Sequence, residues 1–154
     1  DFSEEFTEEE TFLYIYKRDH LDDLLKFLDE EFEPIIYTRG IKQYSDIVLN
    51  AIDPNRIFRH RIYQENCLEV KVEFDDFDDL VKDVRLLRPD NERRCVLVDA
   101  NPLTFFPNPE NGILVNEFMA FKDYDPSLLI LMEILKDIKN AEDVRPYLKE
   151  KFDF

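Results

Sequence analysis

Glycine is nearly absent, with two residues in 154. A glycine-rich loop that cradles phosphates on backbone amides needs several, so that route to nucleotide binding is excluded. Two cysteines, Cys67 and Cys95, are too few and too far apart for a disulfide framework or a zinc site. Cys95 opens an apolar run and reads as a small core residue. The two histidines, His20 and His60, lack metal-ligand spacing and read as structural or surface residues. No run of about 18 apolar residues is present, so no membrane span is expected. No signal or transit peptide is visible. The sequence opens on Asp1 rather than Met, which leaves room for a leader or a longer upstream region. Positive charge is also scarce: 20 Lys and Arg stand against 36 Asp and Glu, a formal net charge of −16. Such a surface repels a phosphate backbone, so no direct nucleic-acid partner is expected. It suits a basic protein partner, or solubility alone.

Apolar residues make up 44% of the chain, with 14 Phe and 7 Tyr, enough for one well-filled domain. Residues 1–11 read as an acidic lead-in and 12–154 as a single domain. Two segments stand out. Val96-Leu97-Val98-Asp99-Ala100-Asn101-Pro102 reads as a buried parallel strand delivering Asp99 to the carboxyl edge of a sheet, where α/β folds bind ligands. Pro34-Ile35-Ile36-Tyr37-Thr38 is a second such strand, ending on a hydroxyl. Thr38 beside Asp99 suits phosphate and metal chemistry.

Phe12 to Tyr16 reads as a strand by its aromatic and β-branched content. Asp19 is the expected N-cap of a helix from His20 to Glu30, with Leu21, Leu24, Leu25 and Leu28 on one face. A second helix is expected over 41–52, with Ile41, Tyr44, Val48, Leu49 and Ile52 inward. Residues 57–63 read as a short strand, 73–79 as an acidic surface loop, and 102–109 as a proline-rich loop. Residues 111–115 read as a further strand. Leu128, Leu129, Leu131, Met132, Leu135 and Ile138 form a broad apolar face after Pro126, and a last helix falls near 141–151. Strands alternating with helices predict a three-layer α/β fold with a mostly parallel sheet and helices on both faces.

These pieces resemble, in order, the RNA polymerase II carboxy-terminal-domain phosphatases of the haloacid dehalogenase superfamily. That branch includes small nuclear phosphatases, the Dullard nuclear-envelope phosphatase and a subunit of the mitochondrial import translocase. Tyr16-Lys17-Arg18-Asp19-His20 resembles the family's Lys-Arg-Pro-His segment. Phe32 to Thr38 resembles its second motif, and Phe58 to Cys67 its Arg-Glu-x-Cys strand. Tyr44 sits where the family has Tyr. Val81-Lys82-Asp83 resembles its Val-Lys-Asp-Leu segment, and Val96 to Pro102 its Leu-Asp-Asn-Ser-Pro motif. Asn108 to Gly112 and Asp143 to Pro146 match its closing segments.

The resemblance implies phosphoryl transfer through an aspartyl-phosphate with magnesium. It implies that Thr38 binds the phosphate, Lys82 neutralises its charge and Asp99 ligates the metal. The family's first motif, Asp-x-Asp-x-Thr, which carries the nucleophile on a central strand, is absent from these 154 residues. Asp75-Asp76 and Asp78-Asp79 read as loop charges. Ala100 stands in place of an Asn, and Gln64 in place of an Arg expected near the phosphate. Loss of a nucleophile costs roughly six orders of magnitude, about 8 kcal/mol. The expected function is therefore a degenerate phosphatase-like binding or scaffold subunit with no cofactor as written, in a mitochondrial rather than a nuclear complex on the resemblance alone. The alternative is a magnesium-dependent phosphoserine/phosphothreonine phosphatase whose first motif lies upstream of Asp1. Without that strand, 34–38 and 95–99 each expose an unpaired inner edge. An upstream segment or a protein partner is expected to fill it.

Overall fold

The computed structural model describes residues 13–71, 78–87, 89–90, 92–120 and 124–152. Among them lie four α-helices and six short strands. Helix α1 (Leu21–Glu31) buries Leu24 and Leu25 and carries Asp22 and Asp23 in its first turn, where carboxylates suit the helix dipole. Its start departs from expectation. His20 is the N-cap, in the left-handed region at φ 64°, and no side chain caps the helix. The Asp19 carboxylate instead accepts the Asp125 amide at 3.1 Å. A long-range contact has outbid a local cap.

The expected first strand is also not there. Residues 13–16 carry no strand, and Phe12 lies outside the described residues. Tyr14 is 80% exposed, so aromatic content found no surface to cover. Strand propensity describes fit to a neighbouring strand, and this segment has none among the described residues.

Strand β1 (Ile35–Tyr37) runs parallel to β2 (His60–Ile62), with helix α2 (Lys42–Ile52) as the crossover. The face that α2 buries is Ser45 and Leu49, with Val48 and Ile52 half-buried. Ile41 and Tyr44, expected inward, are each more than half exposed. Ile41 precedes the helix in an extended conformation, and Tyr44 falls one position off the inward row. Strand β3 (Leu68–Lys71) pairs antiparallel with β4 (Asp78–Val81). Asp78 and Asp79 are thus strand residues, not loop charges; Asp75 and Asp76 lie outside the described residues. Strand β5 (Leu97–Asp99) runs parallel to β6 (Gly112–Leu114) through two short 3-10 turns. Helices α3 (Ser127–Ile138) and α4 (Arg145–Phe152) close the chain.

The main core joins α1, β6, α3 and α4 through Leu24, Ile113, Leu131, Leu135, Ile138 and Leu148. A smaller cluster of Val84, Leu97 and Phe105 sits under the end of β5, with Cys95 packed against it.

The six strands form three separate pairs. The Thr38 amide donates to the Ile62 carbonyl at 2.9 Å, so Thr38 and Ile36 face β2 while the backbone groups of Ile35 and Tyr37 face away. The Val115 amide donates to the Asp99 carbonyl at 3.0 Å, so the backbone groups of Val98 face away from β6. Among the described residues no other strand pairs with either edge. Among the described residues, the unpaired inner edges expected at β1 and β5 are therefore both present.

Gly112 lets the loop after β5 close. A Cβ there would sit 2.7 Å from the ring of Phe105, which is 2% exposed. Gly112→Ala is expected to cost about 1–3 kcal/mol by overpacking, read as a lower urea midpoint at unchanged slope.

Candidate functional site

Two strand ends and one strand exit supply the site. Strand β1 runs into half-buried Thr38, whose Oγ1 accepts the Gly40 amide at 3.0 Å. That turn is local chemistry of a hydroxyl residue and fixes the side chain. Strand β5 ends on Asp99. Its Oδ1 accepts the Asn101 amide at 2.9 Å, and its Oδ2 accepts Lys82 Nζ at 2.6 Å. Lys82 leaves β4, and its amide donates to the Thr104 carbonyl at 3.3 Å, which seats β4 against the loop after β5. The two side chains are 9% and 17% exposed. Burial pushes the Asp99 carboxyl up, but Lys82 and the Asn101 and Ala100 amides outweigh it and hold the group below the usual carboxylate range.

Thr38 joins this pair through residues that sequence reading passed over. Tyr37 is buried, and its ring lies 5.9 Å below Lys82 Nζ. Its hydroxyl donates to the Asn66 carbonyl at 2.7 Å and accepts the Asp83 amide at 3.5 Å. Cys67 donates through Sγ to the Thr38 carbonyl at 3.7 Å. Burial pushes the Cys67 thiol up, with Lys82 and Arg39 opposing, so it is poorly suited to act as a nucleophile. Arg39, the residue after Thr38, donates from Nη1 to Asp79 Oδ1 at 2.8 Å. In sequence, the apolar runs signalled Thr38 and Asp99, and the resemblance at Val81-Lys82-Asp83 signalled Lys82. Tyr37, Cys67 and Arg39 make their contacts here across 29 residues or more, 29 between Tyr37 and Asn66 and between Cys67 and Thr38, and 40 between Arg39 and Asp79. An open cleft of about 600 Å³, lined by Gln64, Glu65, Cys67, Leu68, Glu69 and Leu80, reaches the site through Cys67.

A nucleophilic carboxylate is not found among the described residues. Asp125 has Asp-x-Asp spacing with Asp123, but it accepts Arg18 Nε at 2.6 Å and the Ser127 amide at 3.0 Å. Those bonds, to Arg18 and to the first amide of α3, hold it well below the usual carboxylate range. A magnesium ion takes near-octahedral oxygen ligands, one or two carboxylates among them. Both Asp99 oxygens are already engaged, and among the described residues no three His, Cys, Asp or Glu cluster around a common point. These residues alone do not fit a magnesium site.

Breaking the ion pair strands a buried charge. Lys82→Met is expected to cost roughly 3 kcal/mol in urea unfolding, and Lys82→Met with Asp99→Leu less than that. The folded pKa of Asp99 is depressed, so its contribution is fully present above the unfolded value of about 3.9 and lost as pH falls through the folded one. The stability gap between the natural chain and Asp99→Asn should stay constant from about pH 8 to 5 and shrink below about pH 4.

The family model of the NLI interacting factor-like phosphatases matches residues 1–145. A probable C-terminal domain small phosphatase of Dictyostelium discoideum is 33% identical over 90% of this chain and 42% of its own length. Human carboxy-terminal domain RNA polymerase II polypeptide A small phosphatase 2 is 31% identical over 86% of this chain and 46% of its own. The chain thus spans less than half the length of these relatives. Among solved structures, Fcp1, an essential RNA polymerase II CTD phosphatase, shares the fold at TM-score 0.52, with 23% identity over 87% of this chain and 36% of that one. The matched residues take in both strand ends and the Lys82 segment, and the chain belongs to the NLI interacting factor-like phosphatases, the carboxy-terminal-domain phosphatase branch of the haloacid dehalogenase superfamily.

Proposed function

We propose that this domain is the phosphate-handling half of a phosphoserine/phosphothreonine protein phosphatase, completed by an Asp-x-Asp strand from outside residues 1–154. The observation that carries this reading is the Lys82–Asp99 pair, closed at 2.6 Å and largely buried where two strand ends meet. A buried ion pair is a poor source of stability, since desolvation offsets most of its attraction. Such pairs concentrate where chemistry uses the charge. The open edges of β1 and β5 support the second part, because one parallel strand between them would satisfy both and deliver its carboxyl end beside Thr38, Lys82 and Asp99.

In that arrangement an aspartate oxygen bonds to phosphorus as the ester P–O bond breaks toward the serine or threonine oxygen. Water then cleaves the acyl phosphate. This chain's share is to bind and balance charge: the Thr38 hydroxyl donates to a phosphoryl oxygen and Lys82 neutralises it. Both Asp99 oxygens are engaged by Lys82 and Asn101, so a magnesium site would have to draw its carboxylates from the added strand.

The test begins with intact mass and amino-terminal sequencing of the native polypeptide, followed by phosphate release from a phosphoserine peptide with magnesium. An Asp-x-Asp strand, with Thr38→Val lowering kcat/KM roughly 10²- to 10³-fold, supports the proposal. Turnover indifferent to Thr38→Val, or a native protein without the motif, overturns it.

A second reading, an inactive scaffold with a basic protein partner, is favoured by Ala100 and Gln64 at positions where the family has Asn and Arg. It requires a complete protein that binds a basic peptide and releases no phosphate.

A further inference from the structure

The charge balance of the site is incomplete. A phosphomonoester brings close to two negative charges at neutral pH. Lys82 supplies one positive charge, and Asp99 already cancels it at 2.6 Å. A second local cation is needed if this site is to hold a phosphoryl group.

We propose that Arg39 is that cation, a phosphate-binding residue whose guanidinium lies beside Thr38 at the carboxyl end of β1 and shares the phosphoryl oxygens with Lys82. This rests on the phosphatase reading of the site and goes further by assigning it a residue.

Three observations support it. Arg39 follows Thr38 directly, and the Gly40 amide bonded to Thr38 Oγ1 fixes the turn that carries it. Its guanidinium is anchored to Asp79 through a single N–H, at 2.8 Å, and Asp79 sits on β4 three residues before Lys82. Arg39 is 40% exposed, and a guanidinium has five donors, so most of its fork remains free to take a phosphate in bidentate fashion.

Position 64 offers the control. The Gln64 amide donates to the Gly40 carbonyl at 3.2 Å, so a side chain at 64 grows from beside the same turn. A guanidinium placed there can reach the ground that Arg39 covers.

The experiment is titration of the native polypeptide with inorganic phosphate, followed by calorimetry in metal-free buffer. Arg39→Ala should weaken binding roughly ten- to a hundredfold, the range for a hydrogen bond to a charged group. Arg39→Lys, which keeps the charge and can keep the Asp79 pair, should weaken it several-fold for lack of the fork. Arg39→Ala with Gln64→Arg should regain most of the loss. If Arg39 only ties β1 to β4, Arg39→Lys binds like the natural protein and Gln64→Arg rescues nothing; either result overturns the proposal. Unchanged binding in Arg39→Ala overturns it while leaving the phosphatase reading standing. A natural protein that binds no phosphate overturns both.

Discussion

The ion pair between Lys82 and Asp99 is what the site depends on. Three segments meet there that secondary structure alone does not join: the exit of β4, the end of β5, and the loop that begins at Asn101. Removing either charge leaves the other in a mostly dry setting, at a cost far above what the pair contributes. The pair also fixes orientation. Asp99 spends one oxygen on Lys82 and one on a backbone amide, so its plane is set, and Lys82 is set in turn over the Tyr37 ring. Tyr37 carries the constraint to β1 through its hydrogen bond to the Asn66 carbonyl. Thr38, the next residue, inherits its place from that chain of contacts.

The second constraint is an absence between strands. Parallel strands in α/β domains are normally paired on both sides, because an open edge leaves backbone donors and acceptors unpaired. Here β1 and β5 each have one partner among the described residues. What holds the domain despite this is the helical side: α1, α3 and α4 bury a continuous apolar cluster against β6. The hydrophobic core is therefore largely independent of the gap, while the site lies along it. A fold can tolerate an open slot where its core does not pass.

The readable parts of the sequence were those where one periodic signal outweighed the rest. The apolar run ending on Asp99, the run ending on Thr38, and the leucine-rich face of α3 each declared their element, and each was found. The failures share one cause. Asp19 has the right chemistry for a cap, yet the Asp125 amide, 106 residues away, holds its carboxylate. Phe12 to Tyr16 has the composition of a strand, but described residues 13–16 found no strand to pair with. Asp78 and Asp79 look like loop charges because a two-residue acidic run carries no period, yet pairing with β3 makes them strand. Local chemistry states what a residue can do, and a distant partner decides what it does.

An acidic chain and the proposed phosphate site conflict only if charge acts at long range, and the distance scale of electrostatics removes the conflict. At physiological ionic strength, exposed charges are screened beyond roughly 8 Å. A net charge of −16 spread over the surface therefore says little about the potential a few ångströms from Lys82. Within that radius the balance is set by a handful of groups, and burial strengthens each of them. Within that same range of the surface, acidic side chains repel polyanions and attract cations. Glu65 and Glu69, on the cleft beside Cys67, extend that preference to the edge of the site. A dense acidic surface and the phosphate site proposed at Lys82 are therefore compatible, because each is governed by the charges within its own few ångströms.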